Sequence, residues 1–365
     1  MVQGSLTTAI GSISGTSMDG IDVSLVSTDG EAVVRPGPGR AYRYDAGLRR
    51  RLLDLLADPS RAQTEPLDEL ELAVTDAHAG AIADFMRTQG LSRDQVGLVG
   101  LHGQTVFHKP ETRFTRQLGL GPRVAKALGI DTVNRFRHAD VAAGGEGAPF
   151  APLYHRALAA GLEQPVMVLN LGGVANVTYI DGPDVIAFDT GPASALLDDF
   201  VLRRTGKAYD EDGRLAASGT ADAAMLASWM ADPFFARRPP KSLDRNHFHA
   251  LARTVDRLSD ADGAATLAAF TVASIAASLD HVPLKPRRWL ATGGGRFNKT
   301  FMRLLAARLD VPVDPVEAVG WNGDFLEAQC FGYLAVRSVR GLPLSLPTTT
   351  GVPRPMTGGE LWRAA

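Results

Sequence analysis

The chain has 365 residues, of which 45% are hydrophobic and 21% charged, and its formal net charge at pH 7 is −2. This length suits about two globular domains, and the near-neutral charge excludes the basic surface typical of nucleic-acid-binding proteins. The single cysteine, Cys330, excludes an intramolecular disulfide and a cysteine-rich zinc site. The N-terminus lacks a basic and apolar leader, and no apolar run reaches membrane-spanning length. We therefore expect a cytoplasmic protein that binds neither nucleic acid nor membrane.

The first predicted element is a hairpin around a polar turn, flanked by apolar runs at 6–10 and 21–26. Its glycines are expected to adopt backbone angles that a side chain would forbid. Backbone N–H groups and hydroxyls suit phosphate oxygens, and a carboxylate suits Mg²⁺ or its waters. The chain contains no Walker A sequence, and the alternative is an ordinary hairpin with a polar tip. The candidate residues of the turn are Gly15, Thr16, Ser17, Met18, Asp19 and Gly20.

A helix is predicted over 67–87, because apolar residues recur there at helical spacing and Gly90 follows. A buried strand at 96–101 then runs into the sequence HGQTVFH, for which we expect a loop at the end of the strand. His102, Gln104 and Thr105 are its candidate ligand contacts. In an extended chain His102 and His108 lie about 20 Å apart, at roughly 3.3 Å per residue, too far to share a metal ion.

A glycine-rich segment at 135–150 brings Arg137 and Asp140 close together in the sequence. Glycines allow a chain to approach a ligand, and arginine with a carboxylate can bind polyols or anions. The alternative is a surface salt bridge in a loop. We place the domain boundary here, with one domain over 1–135 and a second over 136–365, whose last residues can return to the first.

The second half begins as the first did, with a strand at 166–171, the turn Gly172-Gly173 and a strand at 174–180. Both hairpins end at an Asp-Gly turn, at 29–30 and 181–182. This weak internal repeat suggests a duplicated α/β domain with a nucleotide between the two halves.

Asp189 follows a predicted strand at 185–188 and precedes a helix predicted to begin at about 193. Pro192 would then occupy the first helical position, where proline is favoured. The positive end of a helix favours an ionised carboxylate, which makes Asp189 a candidate general base. The alternative is that Asp189 only caps the helix or holds the turn.

Three further features lie in the second half. Lys241 and Arg245, in a polar segment, are candidates to face a substrate carboxylate, with solvated side chains as the alternative. Gly293, Gly294 and Gly295 form a third glycine turn between a strand and a helix, where the backbone can approach a ring or a phosphate. Glu327 begins an apolar helix predicted over 325–339; it is either a site carboxylate or a partner of the helix dipole.

Nine sequence segments spread over nearly the whole chain resemble, in order, the anhydro-N-acetylmuramic acid kinases. GTSMDGID and FDTGP are the specific ones. The others are LHGQTVFH, FRHADVAAGGEGAP, LNLGGVANVTYI, FFARRPPKS, ATGGGRFNKTFMRLL, FLEAQCFGYLAVR and LPTTTGVPRPMTGG. The resemblance implies the fold of sugar kinases, actin and heat-shock-chaperone ATPases. We thus expect an α/β protein with two duplicated actin-like (ribonuclease H-like) domains and a nucleotide cleft between them.

The resemblance also implies an ATP-dependent reaction in murein recycling, in which water opens the 1,6-anhydro ring and O6 takes the γ-phosphoryl group. Asp189 would accept the proton of the water, and a homodimer is implied. The glycine turns, including Gly172 and Gly173, would bind ATP, with Asp19 near Mg²⁺. The residues implied on the sugar side are His102, Gln104, Thr105, Arg137, Asp140 and Glu327.

Several positions depart from the family pattern. The family more often has Gln where this chain has Glu146, and Gly-Asn where this chain has Ala193-Ser194. It also commonly has an acidic residue at the position of Arg135. The sequence of residues 316–325 is unusual for the family. These departures bear on the sugar more than on the nucleotide. They favour one alternative, a kinase of the same fold acting on another sugar or polyol. A second alternative is a ligand-binding regulator that has lost catalysis. Such regulators usually carry a DNA-binding segment, and no helix-turn-helix pattern precedes Leu6 in this sequence.

Overall fold

The computed structural model describes residues 5–15, 18–244 and 246–364, so Thr16, Ser17 and Arg245 lie outside the described residues. The strands are β1 (Thr7–Ser14), β2 (Gly20–Thr28), β3 (Val34–Arg43), β4 (Leu98–Lys109), β5 (Phe114–Leu118), β6 (Thr132–Asn134), β7 (Val166–Leu171), β8 (Val174–Asp181), β9 (Asp184–Pro192), β10 (Arg288–Thr292), β11 (Val313–Pro315) and β12 (Glu360–Trp362). The helices are α1 (Ala46–Ala57), α2 (Arg61–Thr64), α3 (Asp68–Thr88), α4 (Gly121–Leu128), α5 (His138–Ala142), α6 (Pro152–Leu158), α7 (Ser194–Thr205), α8 (Arg214–Ala217), α9 (Ala223–Met230), α10 (Pro233–Ala236), α11 (His249–Ala252), α12 (Asp260–Ala277), α13 (Lys299–Leu309), α14 (Leu326–Val339) and α15 (Pro347–Thr350).

The chain forms two compact units, one made of residues 1–160 and 325–365 and the other of 161–324. The first unit thus extends beyond the boundary predicted at residue 135. Two contacts explain why the next segment belongs to it. The hydroxyl of Tyr154 donates to Oε1 of Gln329 at 3.0 Å, and the Cys330 thiol lies 3.7 Å from the carbonyl oxygen of Phe150. The glycine-rich segment that resembles a linker therefore lies inside a domain.

The sheet of the first unit has the order β12-β6-β4-β1-β2-β3, with β5 paired to β4. Strands β1, β2 and β3 form an antiparallel meander, whereas β4 runs parallel to β1 and β6 parallel to β4. Strand β12 pairs antiparallel with β6 at the opposite edge. The hairpin predicted around the first polar turn is β1 and β2.

The sheet of the second unit repeats this arrangement in the order β11-β10-β7-β8-β9. Again three strands form an antiparallel meander, and two further strands extend the sheet in parallel on the side of its first strand. The five strands β6-β4-β1-β2-β3 and the five strands β11-β10-β7-β8-β9 share one order and one set of directions, which confirms the predicted duplicated, actin-like α/β fold.

Helix α14, predicted from its apolar sequence, packs against β1 and β4 with almost no space between the backbones. A Cβ atom built on Gly11 would lie 1.7 Å from the carbonyl oxygen of Ala328, and one built on Gly100 would lie 2.1 Å from that of Phe331. No side chain fits at such distances, so the glycines set how closely the helix covers the strands.

Helix α12 and the turn after it, Asp260–His281, are long and apolar enough to span a membrane by length and composition alone. However, 67% of its most apolar 18-residue window is buried inside the protein. Phe270 and Ile275 are fully buried in the core of the second unit, as the apolar pattern predicts for a core helix.

Candidate functional site

The first polar turn connects β1 to β2. Gly20 begins β2, and a Cβ atom there would lie 2.0 Å from the carbonyl oxygen of Tyr42, so it is the proximity of β3 that excludes a side chain. The expectation that Gly20 supplies an unusual backbone angle is therefore wrong. The buried Met18 has the left-handed conformation, with φ 53°.

Gln104 supports this turn from the interior of the first unit. Its fully buried amide donates to the carbonyl oxygens of Gly15 and Thr105, both at 3.2 Å, and accepts a hydrogen bond from Oγ of Ser14 at 2.6 Å. These three bonds fix the amide in one orientation. The structure thus places Gln104 where it holds the end of β1.

The sequence HGQTVFH does not form the predicted loop, because β4 continues through it. Gln104 and Thr105 pair with Leu118 and Gln117 of β5, and Gln104 also pairs with Ser14 of β1. Backbone pairing on both sides keeps the polar segment extended. Thr105 is half-buried within this strand.

Asp19 presents its carboxylate at the surface of the turn, with 68% of the side chain exposed. One oxygen accepts a hydrogen bond from Nη2 of Arg49 in α1 at 2.8 Å. No group of three or more potential metal ligands occurs among the described residues. Mg²⁺ commonly binds through one or two carboxylates together with substrate phosphates and water, and an exposed carboxylate beside a polar turn fits that role.

His102, Arg137 and Glu327 surround a second polar region of the first unit. Nε of Arg137 donates to Nε2 of His102 at 3.0 Å, and Nδ1 of His102 lies 3.0 Å from the carbonyl oxygen of Gly103. The imidazole therefore carries its proton on Nδ1. Burial first, and then the charge of Arg137, lower the pKa of His102 well below its usual 6.5. It is a neutral acceptor that orients the guanidinium.

The Arg137 guanidinium also donates to the carbonyl oxygen of Gly147 at 2.6 Å and lies over the rings of Phe150 and Phe331 at 5.5 and 5.9 Å. Glu327, in the first turn of α14, has an exposed side chain, although desolvation by the surrounding protein raises its pKa and Arg137 opposes that rise. The structure brings an oriented cation and an accessible carboxylate into one unit, as a polyol site requires.

Asp140 has a different position from that predicted. Its carboxylate is buried and accepts hydrogen bonds from the backbone N–H of Gly147 and from the hydroxyls of Ser345 and Thr350. Three donors on two oxygens fix the glycine-rich loop and the 345–350 segment in place. Asp140 thus organises the loop that receives Arg137.

Three buried histidines of the first unit are held neutral. Burial lowers the pKa of His78 to about 3 and the pKa of His155 to about 4. The pKa of His102 also lies well below 6.5. A histidine that is neutral when folded, but titrates near 6.5 when unfolded, stabilises the fold above pH 6.5. That contribution is lost as the pH falls below 6.5, because the unfolded chain then binds more protons.

We therefore expect the free energy of unfolding of the first unit to fall between pH 7.5 and pH 5.5. The expected loss is about 1 kcal/mol for each of the three histidines, or about 3–4 kcal/mol in total. Urea unfolding followed by circular dichroism at the two pH values measures it. An unchanged or higher urea midpoint at pH 5.5 would contradict this.

Asp189 does not lie at a helix N-terminus, as the sequence suggested. Strand β9 continues to Pro192, paired through Ala175↔Gly191 and Val174↔Pro192 to β8, and α7 begins only at Ser194. A register shift opposite Ala175 and Asn176 leaves Thr190 as an extra residue in β9. Strand pairing with β8 overrides the local sequence.

The Asp189 carboxylate is positioned from the outer edge of β9. Its backbone N–H donates to the carbonyl oxygen of Lys241 at 3.0 Å, and its Oδ2 accepts a hydrogen bond from the backbone N–H of Leu243 at 2.8 Å. The residue is half-buried. A half-buried carboxylate held by the main chain fits a general base.

Gly172 and Gly173 connect β7 to β8, and their carbonyl oxygens face the start of α7. The carbonyl of Gly172 accepts from the N–H and the hydroxyl of Ser194, at 3.0 and 2.7 Å, and that of Gly173 accepts from the N–H of Ala193 at 3.0 Å. The turn therefore fixes the position of the first residues of α7.

The third glycine turn follows β10. Gly293 has φ 77°, and a Cβ atom there would lie 2.4 Å from Oδ1 of Asn170, while one on Gly295 would lie 2.7 Å from Cβ of Leu171. In contrast, a Cβ atom built on Gly294 would meet nothing within 4 Å. The turn packs tightly against β7 on one side and presents an exposed backbone on the other, which suits a flat ligand.

Arg296 and Phe297, next to this turn, are site candidates that sequence reasoning missed. The buried guanidinium of Arg296 donates to the carbonyl of Gly293 and to the carboxylates of Glu317 and Asp324, at 2.6–3.1 Å. It also lies 4.0 Å from the ring centroid of Phe297, a side chain that is 62% exposed. An arginine and then an aromatic residue after three glycines were the available signal.

A family model for anhydro-N-acetylmuramic acid kinase matches residues 7–364. A protein of that name from Rhodospirillum rubrum is 51% identical over 359 residues, covering 98% of this chain and 94% of the relative. Another from Nitrobacter winogradskyi is 52% identical over 365 residues, covering 98% and 99%. Among solved structures, component A of (R)-2-hydroxyglutaryl-CoA dehydratase from Acidaminococcus fermentans is 10% identical, with a TM-score of 0.48 and coverage of 92% and 99%. Because the family match spans nearly the whole chain and the relatives are half identical over almost their full lengths, the chain belongs to the anhydro-N-acetylmuramic acid kinase family.

Proposed function

We propose that this protein converts 1,6-anhydro-N-acetylmuramic acid, ATP and water into N-acetylmuramic acid 6-phosphate and ADP. The observation that carries the proposal is the family match over residues 7–364. Water adds to the anomeric carbon, the bond from that carbon to O6 breaks, and O6 bonds to the γ-phosphorus as ADP leaves. Family membership also supports a cytoplasmic homodimer, which sedimentation would test.

In the proposed reaction Asp189 accepts the proton that the attacking water loses. The hydrogen bond from Leu243 to Oδ2 favours the ionised carboxylate, because it stabilises negative charge on that oxygen. Strand β9 also gives the carboxylate a rigid support. A rigid base is an advantage, since catalysis of this type depends on positioning.

Two glycine turns are proposed to bind ATP. The backbone of Gly15 and Gly20 and the residues between them would contact the phosphates, and the exposed backbone of Gly294 with the ring of Phe297 would contact the nucleoside. Asp19 would hold Mg²⁺ together with phosphate oxygens and water. The ion, when bound, neutralises charge on the transferring phosphoryl group.

The sugar is proposed to bind at Arg137 and Glu327, with His102 orienting the guanidinium. The geometry described above gives Gln104 and Asp140 a supporting role, because their polar atoms already bond to the protein. Thr105 remains a candidate contact within β4.

The test is an ADP-release assay with ATP, Mg²⁺ and 1,6-anhydro-N-acetylmuramic acid, with mass detection of the product. We expect ADP release that needs both the sugar and Mg²⁺, and a product heavier than the sugar by one phosphate and one water. A reaction without sugar is the control.

Two outcomes would contradict the proposal. A product heavier by phosphate alone would mean that the ring stays closed and that Asp189 acts on a sugar hydroxyl. Turnover only with a plain hexose from a substrate panel would establish a kinase for another sugar. Attention would then move to Glu146, Ala193 and Ser194, where the chain departs from the family pattern.

A further inference from the structure

A short segment, Lys241–Leu243, lies along the outer edge of β9 and contacts Asp189. The two main-chain contacts from this segment reach both the backbone and the carboxylate of Asp189. Any shift of the segment would therefore rotate or release Oδ2. What keeps the segment in place thus matters for the proposed base.

The side chain of Lys241 is the buried anchor of this segment. The residue is only 4% exposed, and Nζ donates to the carbonyl oxygens of Phe234 and Phe235 at 3.1 and 3.2 Å. Nζ also lies 4.6 Å from the ring centroid of Phe234 and 5.7 Å from that of Phe188. Phe188 directly precedes Asp189 in β9, so the ammonium connects the segment, α10 and the strand that carries the base.

The carbonyls that receive Lys241 belong to a well-packed helix, α10. Phe234 and Phe235 belong to α10, and both side chains are buried. The ring of Phe235 stacks on that of Phe248, with the ring centroids 5.6 Å apart. Nε2 of His281 also lies 2.9 Å from the carbonyl oxygen of Phe235. A buried ammonium needs such partners. Each carbonyl also has a second contact, the backbone N–H of Arg237 at Phe234 and His281 at Phe235, so losing the ammonium would remove one of the two contacts at each.

We propose that Lys241 is a positioning residue for Asp189: its buried ammonium fixes the Lys241–Leu243 segment, and that segment orients the carboxylate of the base. Lys241 touches neither substrate nor reacting atoms in this proposal. The inference rests on the proposed function, in which Asp189 is the general base.

The charge of Lys241 adds a measurable signature. Burial, and next the charge of Arg237, lower the pKa of Lys241 to about 8, while the charge of Asp189 opposes that shift. By reciprocity the ammonium favours the ionised form of Asp189. Among the described residues, the charged or titratable groups near Nζ are Asp189 from β9, Arg237, which directly follows α10, and His281 from the turn after α12.

The experiment compares the full-length wild type with Lys241→Met, Lys241→Arg and the control Lys285→Met. Lys285 is an exposed lysine of the same unit, whose Nζ lies 3.5 Å from the carbonyl oxygen of Asp310. Steady-state kinetics are measured from pH 5 to pH 10, and thermal unfolding checks that each variant folds. The wild type is measured first. If the wild type shows no sugar-dependent turnover, the proposed function fails. If the wild type is active, the variants are compared with it, and that comparison tests the role of Lys241.

For Lys241→Met we expect kcat to fall by about 10- to 100-fold, with KM for ATP changed by less than about twofold. The acidic limb of its kcat–pH profile should move to higher pH, because the charge that favours ionised Asp189 is gone. Lys241→Arg should restore most of kcat and the wild-type acidic limb, and Lys285→Met should behave as wild type.

Equal kcat values for wild type and Lys241→Met, or a lowered kcat with an unmoved acidic limb, would overturn the proposal. If Lys241→Met does not fold, the kcat–pH profiles of the wild type and Lys241→Arg test the proposal instead. The wild-type kcat should then decline above about pH 8, where Lys241 loses its proton, and the arginine variant should not. Identical basic limbs would overturn the inference.

Discussion

Replacing Asp189 with asparagine should lower kcat by about 10²- to 10⁴-fold, the usual contribution of a general base. The amide oxygen of asparagine can still accept the hydrogen bond that Leu243 donates to Oδ2 at 2.8 Å. The orientation of the side chain is then preserved while its basicity is lost. Steady-state kinetics with the anhydro sugar, and calorimetric titration of sugar binding, separate the two properties.

The matched control for this change is Asp184→Asn. Asp184 lies at the exposed start of the same strand, β9, and its replacement should leave kcat within about twofold of wild type. Sugar affinity should be retained in Asp189→Asn. An Asp189→Asn enzyme that turns over at the wild-type rate would show that another group accepts the proton.

Replacing Gly11 with alanine should destabilise the first unit by about 3 kcal/mol or prevent its folding, because overpacking strains a core. The added methyl group would lie 1.7 Å from the carbonyl oxygen of Ala328 and 2.6 Å from the backbone nitrogen of Gly332. Both atoms belong to backbone, so α14 would have to move away from β1 as a whole. Urea unfolding followed by circular dichroism measures the change.

Gly80→Ala is the control, because a methyl group at this glycine has free space whereas one at Gly11 does not. Gly80 lies exposed inside α3, and a Cβ atom there would meet nothing within 4 Å. Alanine should stabilise the helix by about 0.5–1 kcal/mol, because glycine loses more backbone freedom on folding. A Gly11→Ala protein with the urea midpoint of the wild type would show that α14 can shift on β1 at little cost.

The sequence predicted helices better than it predicted the surroundings of the site. Helices α3 and α14 agree with their predicted ranges within one residue, because helical periodicity is local. The extension of β9 beyond Asp189 depends on pairing with β8, which local sequence does not contain. Pro192 therefore appeared to begin a helix although it ends a strand.

Long-range contacts explain the other differences. Asp140 bonds to Ser345 and Thr350, which are 205 and 210 residues away along the chain, so its occupied carboxylate was not apparent from its neighbours. Lys241 lies in a polar segment that suggests solvation, yet its ammonium is enclosed by α10 and β9. The motifs indicated candidate site residues, but the contacts of their side chains required the fold.

The division of the first unit between residues 1–160 and 325–365 has a consequence for synthesis on the ribosome. When residue 160 has emerged, β1 and β4 still lack α14, so the backbone around Gly11 and Gly100 is uncovered. The intervening unit, 161–324, is continuous in sequence and can fold as soon as it has emerged. The first part of the chain to be made is therefore the last to be completed, and its apolar strands remain exposed to chaperones and proteases in the meantime.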